Sequence, residues 1–423
     1  MSTSTRTAAA RTAPNKLWNR GFIMLIVVNL TQSLGTFMAI NIIPLYARGL
    51  GAPASMIGFI TGAFAVTALA VRPFSGPAFD SFSKKWLFFI ATVLCFVATF
   101  GYAFTNSVIV LILLRFVNGV GVGCCGPLGM ALASEQIPEG RMSSGIGFFT
   151  IATAISQAFG PAFGIELSQR WGYAPAFLTA SAFIAVGALL LAFFVHDAPD
   201  APRLPYKIAL NRIFARQAVV PAVVLGLLSM SFACTNSFMA IYGGLRQVGG
   251  IGLYFTVYAL CLLVTRPLFG HLSDKYGTTK VAVPAMCCFA ASFIIVSRSS
   301  SLAGFVAAAL VAGCGFGATT PLMQSLMFKC VPHTYRGAGS NTTYTGQDAG
   351  QLLGPFLAGV VIDALVPVTG SEAAAYSTMW LVMLIPIVAG IVVYLACQPL
   401  IKRTQAETAA AEAAARQTAE QKA

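Results

Sequence analysis

Charge is what this sequence is short of. Only 9% of its 423 residues are Asp, Glu, Lys or Arg, against about 25% in soluble domains, which excludes a water-soluble globule. Acid is scarcer still, with 13 Asp and Glu against 26 Lys and Arg. Strict alternation of apolar and polar residues is also missing. Val108-Ile109-Val110-Leu111-Ile112-Leu113-Leu114 is unbroken, so a lipid-spanning barrel is excluded. The three histidines are few, and Cys95, Cys124, Cys125, Cys234, Cys261, Cys287, Cys288, Cys314, Cys330 and Cys397 lack zinc spacing with them. The cysteines read as reduced packing residues in apolar runs, and no metal is expected. Neither a phosphate-binding loop nor a nucleophile triad is present, which argues against ATP coupling and against a membrane enzyme. The polar start, through Asn15, has no short apolar core or cleavage site of a signal peptide, so the first apolar run is expected to be retained.

What the chain has instead is apolar length. Hydrophobic residues make up 57% of it, in runs near the ~20 residues that a membrane helix needs. They fall at 21–46, 54–75, 85–105, 108–132, 143–167 and 173–196, then at 218–243, 251–270, 279–297, 302–328, 339–366 and 376–400. The expected fold is an all-α membrane protein with twelve transmembrane helices in two pseudo-symmetric six-helix bundles. Its parts are a tail over 1–19, a bundle over 20–196, a polar linker over 197–216, a second bundle over 217–401 and a tail over 402–423. That last tail, rich in Ala, Glu and Gln, can form a solvated helix but lacks an apolar stripe.

A net charge of +13 would suit a nucleic-acid partner, but its distribution does not. Arg6, Arg11, Lys16 and Arg20, Lys84 and Lys85, Arg141, the linker's Arg203, Lys207, Arg212 and Arg216, then Lys275, Lys280, Lys329, Arg336, Lys402 and Arg403 all fall on one side of a twelve-span chain. The other side holds Arg48, Arg170, Arg246 and Arg298. That asymmetry orients membrane proteins with the basic side inward. The partner it implies is a lipid bilayer, with both termini cytosolic; no nucleic acid is needed.

One stretch occurs twice. Arg72-Pro73-Phe74-Ser75-Gly76-Pro77-Ala78-Phe79-Asp80 returns, 194 residues on, as Arg266-Pro267-Leu268-Phe269-Gly270-His271-Leu272-Ser273-Asp274. The same offset carries Gly119, Gly121 and Gly123 onto Gly313, Gly315 and Gly317, and Pro127 and Pro138 onto Pro321 and Pro332. It also carries Gln157, Gly160 and Pro161 onto Gln351, Gly354 and Pro355. An internal repeat of this length fixes the architecture. Two parallel six-helix halves with a site between them at mid-membrane is a transporter plan.

These residues resemble the major facilitator superfamily over nearly the whole chain, and within it the twelve-span drug/proton antiporter branch. The family's loop signature, Gly-x-x-x-Asp-(Arg/Lys)-x-Gly-(Arg/Lys)-(Arg/Lys), is matched by Gly76, Asp80, Lys84 and Lys85, with Ser81 and Ser83 as departures. It is matched again by Gly270, Asp274, Lys275, Gly277 and Lys280, with Thr278 as a departure. The resemblance implies a cytosolic gate, to which Glu135 adds a partner for Lys84; alternatively the lysines only anchor topology. The glycines would let helix ends approach closely. Arg72 and Arg266, one turn before each signature glycine, either snorkel to the interface or help close that gate.

Within the fourth run, Arg115-Phe116-Val117-Asn118-Gly119-Val120-Gly121 resembles a family motif associated with proton coupling. An arginine at that depth costs roughly 2.5–3.5 kcal/mol on insertion scales, so it should face the protein interior, as a coupling residue or bonded to carbonyls. Gly147, Ser156, Gly160, Pro161 and Gly164 keep the spacing of the family's antiporter motif, with Ser156 and Ile165 replacing glycines. In the family that motif marks exporters; a bare packing role is the other reading.

Asp348 is the acid deep in an apolar run, sharing a helical face with Asn341, Tyr344 and Gln351. A membrane-embedded carboxylate is a functional candidate by default, and Asp348 is expected to carry the proton, with Arg115 sensing its charge. The alternative is a static pair with Arg115 or Arg72. Asn29, Gln32, Phe37, Asn41, Asn118, Gln157, Asn236, Tyr254, Tyr258, Gln324, Tyr344 and Gln351 are expected to line an aromatic, neutral-polar cavity suited to amphiphilic solutes.

The expectation is therefore a monomeric, multi-pass protein of the cell inner membrane. It would export a hydrophobic or amphiphilic small molecule in exchange for protons, with the proton as coupling ion and no cofactor. A proton-coupled importer of a sugar, peptide or organic acid is the first alternative, and a receptor that binds without transport the second.

Overall fold

The computed structural model describes residues 17–138, 142–195, 214–332 and 336–420. Among them, twelve helices are long and apolar enough to cross a membrane, and there is no strand. The first half comprises Arg20–Gly49, a second span made of Ala54–Gly62 and Phe64–Ser81, then Lys84–Tyr102, Val108–Glu135, Met142–Trp171 and Tyr173–Phe194. The second half comprises Val219–Leu245, Gly252–Tyr276, Thr278–Arg298, Leu302–Cys330, Arg336–Thr369 and a twelfth span made of Glu372–Val382 and Leu384–Ala396. These helices exceed the apolar runs at most ends, because polar turns extend them past the lipid. The eleventh has 34 residues, about 50 Å of helix for about 30 Å of hydrocarbon.

Only helices satisfy their own backbone in lipid, and their ends are finished locally. The Asn19 side chain accepts from Phe22 N at 2.8 Å and Ser83 accepts from Trp86 N at 3.2 Å, two N-caps. Between spans eight and nine the turn is made by Gly277 at φ +90°, a conformation that suits glycine.

Inside each half, small residues bring backbones together, as lipid-embedded packing favours. Along span eleven, a Cβ on Gly346, Gly350 or Gly354 would stand 2.3, 2.1 or 2.0 Å from the carbonyl oxygens of Ala222, Gly226 and Met230 in span seven. The repeat mates Ala152, Ser156 and Gly160 lie on span five, which packs on span one. There the Ser156 hydroxyl donates to Leu30 O at 3.0 Å, and a Cβ on Gly160 would meet Phe37 Cβ at 2.9 Å.

The last helix, Gln398–Glu420, is docked on the bundle through its first turns. Ile401 is buried, and the Thr408 hydroxyl donates to Cys330 O at 2.8 Å, capping the end of span ten.

Candidate functional site between the two halves

The two halves meet along spans two and eleven, and along spans five and eight. At the face opposite the basic one, the second-and-eleventh seam is closed backbone against backbone. The Asp363 carboxylate accepts Ala54 N at 2.9 Å and Ser55 N at 2.8 Å, so a side chain of one half caps the first turn of a helix in the other. Arg48 donates to Glu372 at 2.9 Å beside it. Below, a Cβ on Gly58 would lie 1.9 Å from Pro355 O, and one on Gly62 would lie 2.9 Å from Leu352 Cα.

Toward the basic face the same seam is spanned by side chains. Arg72 Nε donates to Asp348 Oδ2 at 2.6 Å, the side chains being 13% and 8% exposed. The guanidinium also lies over the Tyr344 ring, 5.1 Å from its centroid. Arg72 is ten residues below Gly62, about 15 Å along its helix, whereas Asp348 is four residues below Leu352, about 6 Å. The arginine covers the difference because helical side chains lean toward the N-terminus. Arg72 therefore does not snorkel to the interface; a carboxylate of the other half holds it inside.

Arg115 is not the cation at Asp348. It is 1% exposed and stays within the first half. Its Nε donates to Ile60 O at 3.0 Å, Nη2 donates to Thr61 O, and Nη1 donates to Asn118 Oδ1 at 3.2 Å. Those carbonyls belong to the turn before Ala63, where the second span is broken into two helices. The arginine fork supplies donors where the helix ladder is interrupted, and its guanidinium covers the Phe64 ring at 4.9 Å. The expected link between Arg115 and Asp348 is absent from this conformation.

The gate residues are divided. Lys84 is ion-paired to Glu135, tying spans three and four inside the first half, not across the halves. Lys85 lies over Trp86 and Lys275 over Tyr276, at 5.6 and 5.3 Å. A Cβ on Gly270 would meet nothing within 4 Å, so the close helix approach expected there is not made. Arg266 is exposed and makes no hydrogen bond or ion pair among the described residues. The surroundings of Gly76, Asp80, Gly147 and Asp274 lie outside the described residues.

In the antiporter-type motif, Ser156, Gly160 and Gly164 face span one, with Pro161 buried. Several of the expected cavity residues are engaged in ties between helices. Asn29 donates to Phe149 O and Thr153 Oγ1, both at 3.0 Å, as a tie between spans one and five. Phe37 packs on Gly160, and Asn118 serves Arg115. Gln32 is buried, and Gln157, Asn236, Gln324 and Gln351 are half-buried. Tyr254 and Tyr258 are 2% and 4% exposed, and Tyr258 packs on Phe232, 5.6 Å between ring centroids. Asn41, 1% exposed, donates to Phe37 O at 3.1 Å and leaves its buried Oδ1 without a partner. Sequence reasoning missed Asp363, Glu372, Gly58 and Gly62; the offset of 194 that relates Gly58 to Gly252 was the available signal.

Two six-span halves meeting around a buried ion pair define a membrane transport protein. The Major Facilitator Superfamily model matches residues 25–249 and 222–421, and the chain belongs to that family. It is 25% identical over 343 residues to the multi-drug resistance efflux pump PmrA homolog of Lactococcus lactis, covering 75% of this chain and 83% of that protein. It is 23% identical to the multi-drug resistance efflux pump PmrA of Streptococcus pneumoniae, covering 81% and 88%. It is 21% identical to the quinolone resistance protein NorA of Staphylococcus aureus, covering 78% and 87%. In fold it is similar to a crystallised variant of the nucleoside transporter NupG, with a TM-score of 0.76 at 15% identity over 90% of this chain and all of that one. A bacterial homolog of the lysosomal transporter Spinster, inward-facing and unoccupied, gives 0.74 at 15% identity, covering 92% and 97%.

Proposed function

We propose that this protein exports a hydrophobic or amphiphilic small molecule from the cytosol in exchange for protons. Its basic face is cytosolic, it resides in the cell inner membrane as a monomer, and it uses the proton in place of any bound cofactor. The printed names of its relatives support efflux, and the Gly147–Gly164 spacing supports the same direction. The single observation that carries the reading is the Arg72–Asp348 pair, a titratable bridge between the halves inside the membrane.

The cycle follows from that bridge. Closure of the opposite end of this seam by Asp363, Gly58 and Gly62 supports reading the conformation as inward-facing. Rocking of the halves about the site exposes Asp348 to the outside. A proton taken up there neutralises the carboxylate and releases Arg72; return to the cytosolic side discharges the proton and restores the pair. Arg115 acts as a positioning residue that holds the break at Ala63 in shape.

The test is dye transport in everted vesicles. Proton-driven accumulation of a lipophilic fluorescent dye, lost in Asp348→Asn at unchanged protein level, is the expected result. Dye movement in the direction of import, or coupling that survives Asp348→Asn, would discard the proposal.

A further inference from the structure

The two seams between the halves are repeat mates, and the contacts keep register at each level. Gly58 faces Pro355 and Phe356; its mate Gly252 faces Ala162, the mate of Phe356, with a Cβ–Cα approach of 2.8 Å. Gly62 faces Leu352; its mate Thr256 donates to the carbonyl of Ala158, the mate of Leu352, at 2.8 Å. At the third level Arg72 meets Asp348. The mates there are Arg266 and Ala154.

At that third level the symmetry breaks. Arg266 and Ala154 line one cleft of about 410 Å³ between spans five and eight, walled by Phe148, Ile151, Leu262, Leu263 and Pro267, with Thr150 as its one other polar lining residue. The size falls in the ~300–1,000 Å³ range of small-molecule sites. One seam thus has a cation with its carboxylate. The other has the same cation, at the repeat-equivalent position, on a mostly apolar cleft that an alanine lines where the first seam has its aspartate. Among the described residues, this arginine within a membrane-spanning helix has no counter-charge of the kind such residues ordinarily find, and its planar fork is shaped to receive a carboxylate.

We infer that this cleft binds the carboxylate of an amphiphilic substrate, which takes beside Arg266 the place that Asp348 takes beside Arg72. The apolar body of the molecule lies on Phe148, Ile151, Leu262 and Leu263. This inference deepens the export reading by naming a substrate class, lipophilic monoanions, and it rests on that reading. It also gives the two arginines different tasks: Arg72 answers to the proton through Asp348, and Arg266 answers to the substrate.

The probes are dansyl-undecanoate and its methyl ester, which differ in one charge. Binding is read by fluorescence on the full-length protein in phosphatidylcholine nanodiscs, without a gradient. Wild type is expected to hold the acid about tenfold more tightly than the ester, the worth of one charge-assisted pair. Arg266→Gln should bring the acid down to the ester. Ala154→Asp should do the same by supplying the missing carboxylate from the chain, and Arg266→Lys should keep part of the preference. Equal affinity of acid and ester in wild type, or an undiminished preference in Ala154→Asp, overturns the inference. Loss of the preference when the nanodiscs contain phosphatidylglycerol would assign the cleft to an anionic lipid headgroup and also overturn it. A protein that binds the acid but moves no dye in everted vesicles sinks the export reading alone. One that pumps dye yet holds acid and ester alike sinks the cleft alone.

Discussion

The two ends of the seam between spans two and eleven are built on different principles. At the sealed end, glycines put backbone on backbone and the Asp363 carboxylate accepts two amide protons of the facing helix. At the basic end the same helices are bridged by the length of one arginine. Backbone contact of that closeness is either made or lost, because a shift of an ångström forfeits the packing. A side-chain bridge can let go by a change of protonation. The molecule has placed its all-or-none contact on one side of the membrane and its titratable contact on the other.

Breaking the bridge should have the largest effect. Asp348→Asn leaves Arg72 without its counter-charge and should abolish proton-driven transport. It should also destabilise this conformation by about 3 kcal/mol, the usual penalty for removing one partner of a buried pair, read as a lowered midpoint in detergent thermal unfolding. The double variant Arg72→Gln with Asp348→Asn should recover most of the midpoint and none of the coupling.

The sealed end is next. Gly58→Ala must push Pro355 away, because its new Cβ would stand 1.9 Å from the carbonyl oxygen; a penalty of about 1–3 kcal/mol is expected. Gly252→Ala, with a 2.8 Å approach to Ala162 Cα, should cost less. Gly126→Ala, whose Cβ meets nothing within 4 Å, should stay within about 0.5 kcal/mol of wild type. Thermal midpoints in that order sharpen the comparison; equal midpoints would remove its basis.

Asp363→Ala should be milder, about 1 kcal/mol for a lost helix cap. The loss should appear as faster labelling of an introduced cysteine from the face opposite the basic one. Lys84→Gln should be milder again. Its pair with Glu135 lies within one half, so its removal should change the unfolding midpoint by less than about 1 kcal/mol and leave dye transport near wild type.

Much of this was legible in the chain. Twelve apolar runs gave twelve spans, since lipid admits only helices or closed barrels and runs without alternation leave the helix, and the offset from Arg72 to Arg266 exposed the duplication. Asp348 stood out because an acid in an apolar run is costly. The choice of its partner was not legible: Arg72 and Arg115 were both candidates, and which one reaches Asp348 depends on how spans two and eleven diverge. The break at Ala63, which turns Arg115 toward the carbonyls of Ile60 and Thr61, carries no proline to announce it. Asp363 looked like a span-end acid, because its worth comes from a helix start 309 residues away. The cavity residues were chosen by polarity alone, and helix ties such as Asn29 to Phe149 and Thr153 have the same polarity as ligands.

The closing helix, Gln398–Glu420, has a mechanical consequence. Gln398 and Tyr394 both meet the Thr279 hydroxyl at the start of span nine, at 3.1 and 3.2 Å, and Thr408 clasps the end of span ten. Three helix ends on that rim are thereby strapped to one rod, so a tilt begun at any of them is handed to the others. A chain cut after Ala396 would keep every membrane crossing and still lose the strap that lets them swing together.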